Sequence, residues 1–202
     1  MFVARKLNWT MGFGLVVTMA CFAQAATIYS ESASGDISGN RFSPTTRTLG
    51  LGSNDVFATS QGGDQEYLTL IVPSGMALRN LFLRADTPSS FDQTAFLAMA
   101  SGSPFPFDPA LAGSAAGSLG WVHFSPGLVG QDLFPTMRTS DLGSSGFGTQ
   151  LPAGTYSFAI QQLGTSVTYQ LDFTTVAVPE PAAVAIFGAA VSVLTLRRRR
   201  GV

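Results

Sequence analysis

Short runs of alternating residues, each closed by a turn containing Gly or Pro, recur along most of this chain. The clearest run, Glu66 to Pro73, has mostly apolar side chains at both sets of alternate positions, which is typical of a central strand buried on two faces. The turn Pro73-Ser74-Gly75 ends it. Because a single strand cannot bury its own apolar faces, such a chain is expected to fold into sheets that cover each other.

The same pattern predicts eight further strands. They are Thr27 to Tyr29, Pro44 to Leu49, Val56 to Thr59, Met76 to Ala85, Ala95 to Ala100, Trp121 to Phe124, Thr155 to Gln162 and Val167 to Val176. We expect the last two to form an antiparallel hairpin, and Asp132 to Met137 to form a short turn or strand. With no convincing helix between these strands, the sequence predicts an all-β fold, a two-sheet β-sandwich of jelly-roll-like topology.

One long stretch, Ser101 to Gly120, is rich in Pro, Gly and Ala and predicts a loop. A loop of about twenty residues is unusual inside a compact domain, so it indicates either a functional surface or an unrecognised strand. Phe105 and Phe107 lie in it, and Trp121 follows it directly. These three aromatic side chains are candidate glycan contacts by stacking on sugar rings, although aromatic residues more often pack in a core.

The C-terminal end has three parts in a fixed order: Pro179-Glu180-Pro181, an uncharged run from Ala182 to Leu196, and the basic block Arg197 to Arg200. As a helix the uncharged run is about 22 Å long, which is short for a hydrocarbon core of about 30 Å. Local thinning of the bilayer and snorkelling arginines allow a short transmembrane helix, with the arginines on the cytoplasmic side.

The N-terminal end predicts a signal peptide. Arg5 and Lys6 precede the apolar stretch Leu7 to Phe22, and Ala23-Gln24-Ala25 has the small-x-small pattern of a cleavage site. We therefore expect a signal helix in residues 1–25, an extracytoplasmic domain in 26–177 and a sorting segment in 178–202. An uncleaved N-terminal anchor is the alternative.

The tail resembles the PEP-CTERM sorting signal of Gram-negative bacteria, also labelled an ice-binding protein C-terminal domain. The matching residues are Pro179, Glu180, Pro181, Arg197, Arg198, Arg199 and Arg200. The resemblance implies export, transient anchoring in the inner membrane through the tail helix, and processing near the triplet by an exosortase-type membrane protease. It also implies a final location at the cell surface or in the extracellular matrix of a host that makes exopolysaccharide. An ordinary anchor that is never cut is the alternative.

The region between the two ends resembles the bacterial pre-peptidase C-terminal domain, a small β-sandwich appended to secreted proteins. The resemblance lies in Asp64 to Gly75, Leu151 to Tyr156 and Val167 to Leu171. Leu68 stands where that family often has an aromatic residue, and Ser101 to Gly120 has no counterpart in its pattern.

Charge restricts the partners of the exported part. Residues 26–178 contain five arginines, no lysine and eleven acidic residues, a formal net charge of −6. This composition argues against nucleic acid or anionic polysaccharide held by charge alone, because both need a basic surface. Neutral glycans and divalent cations remain possible partners. Cys21, the only cysteine, lies in the predicted signal peptide, so we expect no disulfide in the mature domain.

Residues for catalysis are scarce. His123 is the only histidine, and no Gly-x-Ser-x-Gly motif occurs. Two carboxylate pairs, Asp64 with Glu66 and Asp86 with Asp92, are candidates for binding calcium or for a glycosidase pair, and solubility is the simpler explanation for both. The sequence therefore predicts no catalytic residue and, apart from possible calcium, no cofactor.

The preferred interpretation is an exported, non-catalytic protein of the cell surface or extracellular matrix. A glycan-binding module of an exopolysaccharide layer is the first alternative, and a carboxylate-dependent hydrolase is the second.

Overall fold

The structure, a computed structural model, describes residues 25–88, 94–162 and 164–179. Its nine strands, numbered β1 to β9 in chain order, are Ala26–Ser30, Thr45–Thr48, Asn54–Ser60, Gln65–Val72, Met76–Pro88, Ala95–Ser101, Gly120–Phe124, Gly154–Gln162 and Val167–Ala177. Two short helices, α1 (Glu31–Ser34) and α2 (Phe134–Arg138), and a 3₁₀ turn at Pro126–Leu128 complete the regular structure. All nine predicted strands are present.

The strands form two sheets that pack face to face. The four-stranded sheet has the order β1-β3-β9-β5, and the five-stranded sheet has the order β2-β4-β8-β6-β7. Two pairs are parallel, β1 with β3 and β2 with β4, whereas the other pairs are antiparallel. The described chain is therefore a β-sandwich of two mixed sheets, as the alternating sequence pattern predicts.

The core lies between the inner faces of the two sheets. On β4 the alternation directs Leu68, Leu70 and Val72 inward, and all three are buried. Across the core, the rings of Phe158 on β8 and Phe173 on β9 meet edge to face with centroids 5.1 Å apart. Burying each such side chain contributes about 1.5–3 kcal/mol, so these contacts hold the sheets together.

The predicted hairpin between the last two strands is wrong. β8 pairs with β4 and β6 in one sheet, while β9 pairs with β3 and β5 in the other. Two alternating strands joined by a short connection can form a hairpin within one sheet, or they can lie in two different sheets. The sequence pattern is the same in both cases. Because both strands have a face that needs cover, they face each other across the core instead of lying side by side.

The segment predicted as a short turn or strand at Asp132 to Met137 contains α2. The Asp132 carboxylate accepts hydrogen bonds from the backbone N–H groups of Phe134 at 3.1 Å and of Leu81 on β5 at 3.0 Å. Its second oxygen accepts one from the Asn80 amide at 2.7 Å. This side chain thus ties the start of the helix to the edge of β5, a tertiary interaction that sequence periodicity does not encode.

Both ends of the described domain lie at the same end of the sandwich. The Ala26 N–H donates to the Ser53 carbonyl at 2.9 Å, and the neighbouring Gly52 N–H donates to the Thr175 carbonyl at 3.2 Å. After β9, the Val178 N–H donates to the Gly75 carbonyl at 2.8 Å. The chain therefore enters the four-stranded sheet and leaves it at the same end of the strands.

Most of the sorting and cleavage residues lie outside the described residues, namely Ala23, Glu180, Pro181 and Arg197 to Arg200, together with the predicted signal and tail helices. Ala25 and Pro179 are described and are exposed. Neither helix within the described ranges has the length and apolar character needed to cross a membrane.

Candidate functional site

The outer face of the five-stranded sheet carries a row of large side chains. In the register of the sheet, Gln161 on β8 is paired with Phe96 on β6, and Phe96 is paired with His123 on β7. Trp121 lies two residues before His123 on β7 and points to the same side, because side chains alternate along a strand. The row therefore presents aromatic surface beside an amide.

The segment between β6 and β7, residues 102–119, folds back over this outer face and is called the cover below. Phe105 packs on Tyr67 with ring centroids 6.3 Å apart, and the Arg41 guanidinium donates to the Phe105 carbonyl at 3.1 Å. The Gln65 amide donates to the Asp108 carboxylate. Burial raises the pKa of Tyr67 to about 12, so its hydroxyl stays protonated. The predicted long loop is thus a fixed cover on the sheet.

A cleft of about 430 Å³ lies between this cover and the sheet, within the usual size range of ligand pockets. Its sheet side consists of Phe96, Trp121, His123 and Gln161. Its other side consists mainly of small residues of the cover, with Phe107 and Leu142 at the margins; the small ones are Pro109, Ala110, Ala112, Gly113, Ser114 and Ala115. Small residues leave the flat aromatic surface open to a ligand.

The aromatic rings of the cleft support one another. The rings of Phe96 and Trp121 are stacked with centroids 6.1 Å apart, and His123 contacts Phe96 at 5.8 Å and Trp121 at 5.4 Å. The Trp121 indole N–H donates to the Asp141 carbonyl at 3.1 Å, which fixes the orientation of its ring. The indole face is thereby preorganised for stacking.

Gln161 contributes an amide to the sheet side of the cleft. Its side chain is 7 % exposed, and no hydrogen bond joins its amide to another of the described residues. Water reaches this amide in the cleft, so the amide is free to donate and accept hydrogen bonds to a bound ligand. An amide next to an aromatic face is a combination that suits a sugar ring, which has hydroxyls at its edge and an apolar face.

The electrostatics of the cleft favour an uncharged ligand. Among the lining residues, all of them in the described part of the chain, there is no Asp, Glu, Lys or Arg, and His123 is the only titratable group. A charged ligand would lose its hydration without gaining an ion pair here. The cleft is therefore suited to a neutral ligand.

The structure separates the three predicted glycan contacts. Phe107 and Trp121 line the cleft, whereas Phe105 is only 1 % exposed beneath the cover. The expectation that Phe105 is available to a glycan is therefore wrong, because its ring fills the space above the small residues Ala98 and Ala159. Sequence reasoning missed Phe96 and Gln161, although the alternation within β6 and β8 directs both to the outer face.

The carboxylate pair Asp64 and Glu66 does not form an accessible catalytic pair. Glu66 is fully buried on the inner face of β4, where its carboxylate accepts a hydrogen bond from the Tyr169 hydroxyl. Burial raises the pKa of Glu66 to about 8 despite that hydrogen bond. A group enclosed in this way cannot contact a polysaccharide, so this glycosidase pair is excluded. In the second pair Asp92 lies outside the described residues, so that pair stays untested.

His123 sits in an aromatic setting. Its ring contacts Phe96 and Trp121, and within the described ranges no hydrogen bond connects it to a serine hydroxyl or a carboxylate. Among the described residues His123 therefore has aromatic contacts and lacks the hydrogen bonds of a Ser-His-Asp triad.

Comparison with known proteins adds little. No family model matches the chain, and no curated protein matches it. A structure of PliG from Salmonella Typhimurium, a periplasmic lysozyme inhibitor of g-type lysozyme, is similar at 14 % sequence identity, over 66 % of this chain and 99 % of that one, with a TM-score of 0.31. A similarity of this size carries no argument about function.

Proposed function

We propose that this protein is an exported, non-catalytic component of the cell surface or extracellular matrix that binds a neutral glycan in the cleft. The observation that carries the glycan part is the unpartnered Gln161 amide in the same cleft as the Trp121 indole ring. An aromatic ring can stack on the apolar face of a sugar ring, and an amide can form hydrogen bonds with the hydroxyls at its edge. The exopolysaccharide layer of the host is the proposed source of the glycan.

Isothermal titration with neutral tetrasaccharides of glucose, mannose and galactose tests this proposal. We expect at least one to bind, and Trp121→Ala to weaken it about five- to tenfold, the size of a lost stacking interaction of about 1–1.4 kcal/mol. Gln161→Leu keeps the volume of the side chain but removes its hydrogen bonds. We expect it to weaken binding by a similar factor.

The matched control is Phe42→Ala, which removes an aromatic ring that is 68 % exposed and is not part of the cleft. This variant should bind like the unchanged protein. Thermal melting of each variant shows whether it is folded. The glycan proposal fails if none of the sugars binds, or if the folded Trp121→Ala and Gln161→Leu variants bind as well as Phe42→Ala.

The sorting part of the proposal is supported by where the domain begins and ends. β1 begins at Ala26, directly after the predicted signal-peptidase site, and β9 ends at Ala177, two residues before the exposed Pro179. Cleavage after Ala25 and near Pro179 would therefore remove no strand. We propose that an exosortase-type membrane protease makes the second cut while the tail helix holds the domain at the inner membrane.

Intact-mass measurement of the protein from cells and from the culture medium tests this route. We expect a species that begins at Ala26 and ends near Pro179. A mature protein that still carries Arg197 to Arg200 would mean that the tail is a permanent anchor, and the sorting proposal would fail. The glycan proposal would be unaffected, because the cleft lies within the sandwich.

The strand topology is a third part of the proposal. We propose a jelly-roll-like topology for β3 to β9, of the kind expected for a pre-peptidase C-terminal domain. It is supported by the placement of β3, β5 and β9 in one sheet and of β4, β6, β7 and β8 in the other. The parallel strands β1 and β2 are additions at the sheet edges.

A further inference from the structure

Three carboxylates from two parts of the sequence meet beside the core. Glu31 is the first residue of α1, Asp36 lies in the loop after that helix, and Glu66 lies near the start of β4. One carboxylate oxygen from each lies within 4.8 Å of the other two. Ca²⁺ holds oxygen ligands at about 2.3–2.6 Å, so the ligands of one ion are at most about 5 Å apart. The spacing of these oxygens matches that of a calcium site.

Glu66 supplies a second, independent observation. Its side chain is 0 % exposed, on the inward face of β4 that otherwise carries Leu68, Leu70 and Val72. One carboxylate oxygen accepts the Tyr169 hydroxyl, and the other, Oε1, has no hydrogen-bond partner among the described residues. A buried carboxylate oxygen without a partner is costly, and a bound cation would supply its missing partner.

Glu31 is already held in position for such an ion. Its Oε1 accepts the Ile37 N–H at 3.3 Å and its Oε2 accepts the Thr59 N–H at 2.6 Å. These bonds fix the carboxylate and leave further lone pairs on its oxygens. Asp36 is exposed, so water can reach the cluster from that side and complete the six to eight ligands that calcium needs.

No ion pair with an arginine compensates the cluster within residues 25–88, 94–162 and 164–179. Across the described ranges the only ion pair joins Arg84 to Asp172, on another part of the fold. Three carboxylates held close together need a positive charge or protons to relieve their repulsion. The donor atoms are all oxygens, without His or Cys, which selects a hard cation over zinc or copper.

We propose that Glu31, Asp36 and Glu66 bind one calcium ion. The bound ion would join α1, which directly follows β1, and the loop after α1 to β4, and so connect the two sheets. The inference replaces the sequence-based pair Asp64 and Glu66 by a cluster that only the fold assembles, and it does not depend on the glycan proposal.

Terbium luminescence tests the site, because Tb³⁺ replaces Ca²⁺ and is excited by nearby tyrosines. The Tyr169 hydroxyl contacts Glu66, and the Tyr29 hydroxyl donates to the Asp36 carbonyl at 3.0 Å. We expect the full-length chain in mild detergent to sensitise one Tb³⁺ per molecule, and Ca²⁺ to displace it. The Ca²⁺ dissociation constant should be about 10⁻⁴–10⁻³ M, as in extracellular modules.

Asp36→Asn is the decisive variant, because this exposed side chain can lose its charge without disturbing the core. We expect it to weaken Ca²⁺ binding at least about tenfold, since affinity follows the number of charged ligands. Glu66→Gln should do the same. Asp141→Asn, at an exposed aspartate outside the cluster, is the matched control and should bind normally. The proposal is overturned if Tb³⁺ luminescence is absent, or if Asp36→Asn and Asp141→Asn bind Ca²⁺ equally.

Discussion

With calcium removed by a chelator, the free energy of unfolding should fall by on the order of 4 kcal/mol between pH 4.5 and pH 8 because of Glu66. Burial is the main cause of its raised pKa, the carboxylates of Glu31, Asp64 and Asp36 raise it further, and the Tyr169 hydrogen bond lowers it. The folded protein therefore retains a proton on Glu66 that the unfolded chain releases near its ordinary pKa.

The direction follows from which state holds the proton. Below pH 4.5 both states are protonated at Glu66, so this group contributes no penalty. As pH rises toward about 8 the unfolded state alone ionises and becomes relatively more favourable, and above that pH the loss is complete. Urea unfolding measured at several pH values in chelator would record the decrease.

Glu66→Gln isolates this contribution. Glutamine keeps a polar group opposite the Tyr169 hydroxyl but does not titrate, so most of the decrease between pH 4.5 and 8 should disappear. In Asp141→Asn the decrease should remain. Burial also raises the pKa of Asp86, and that contribution is common to both variants. An equal pH dependence in the two variants would show that Glu66 is not the group responsible.

Phe158→Ala should cost about 3–5 kcal/mol of stability. The Phe158 side chain is 0 % exposed and meets Phe173 of the opposite sheet edge to face. Its removal leaves a cavity at the contact between the layers, and β-strands cannot easily shift to refill it. For a domain with a usual total stability of about 5–15 kcal/mol, this is a large fraction.

Urea unfolding measures this loss, and Phe42→Ala is the control of the same chemistry at the surface. Phe42 is 68 % exposed and contacts the Arg41 guanidinium, which lies 3.9 Å from the centre of its ring. Its truncation should cost no more than about 1 kcal/mol. If Phe158→Ala cost as little as this control, the face-to-face packing of the two sheets described here would be wrong.

The positions of the strands could be predicted from sequence because alternation is a local property. Even Ala95 to Ala100, whose composition also suits a helix, is a strand, as its short length between polar boundaries indicates. The partners of each strand could not be predicted in this way. β8 and β9 follow each other after a short connection, yet they belong to different sheets, because their pairing depends on contacts with β3 to β6.

The candidate sites likewise combine residues that local sequence identifies with residues that only strand pairing brings together. Trp121 and Phe107 could be found from the aromatic residues in and beside an unusually long loop. The place of Gln161 beside Phe96 in the same cleft depends on the register between β8 and β6. Glu66 is the first residue of the predicted strand, and a charged side chain is rarely fully buried. Its burial follows only from the packing of Tyr169 across the core.

Both chain ends lie at one end of the sandwich, and the cleft lies toward the other end. β4 runs from Gln65, which pairs with Gln161 in the row of the cleft, to Val72, which is close to the Gly75 carbonyl bonded by Val178. Seven steps of about 3.3 Å along these eight residues place the cleft row roughly 23 Å from the point where the tail leaves the fold. In a domain held at a membrane by that tail, the cleft would therefore lie at the end of the sandwich opposite the point of attachment.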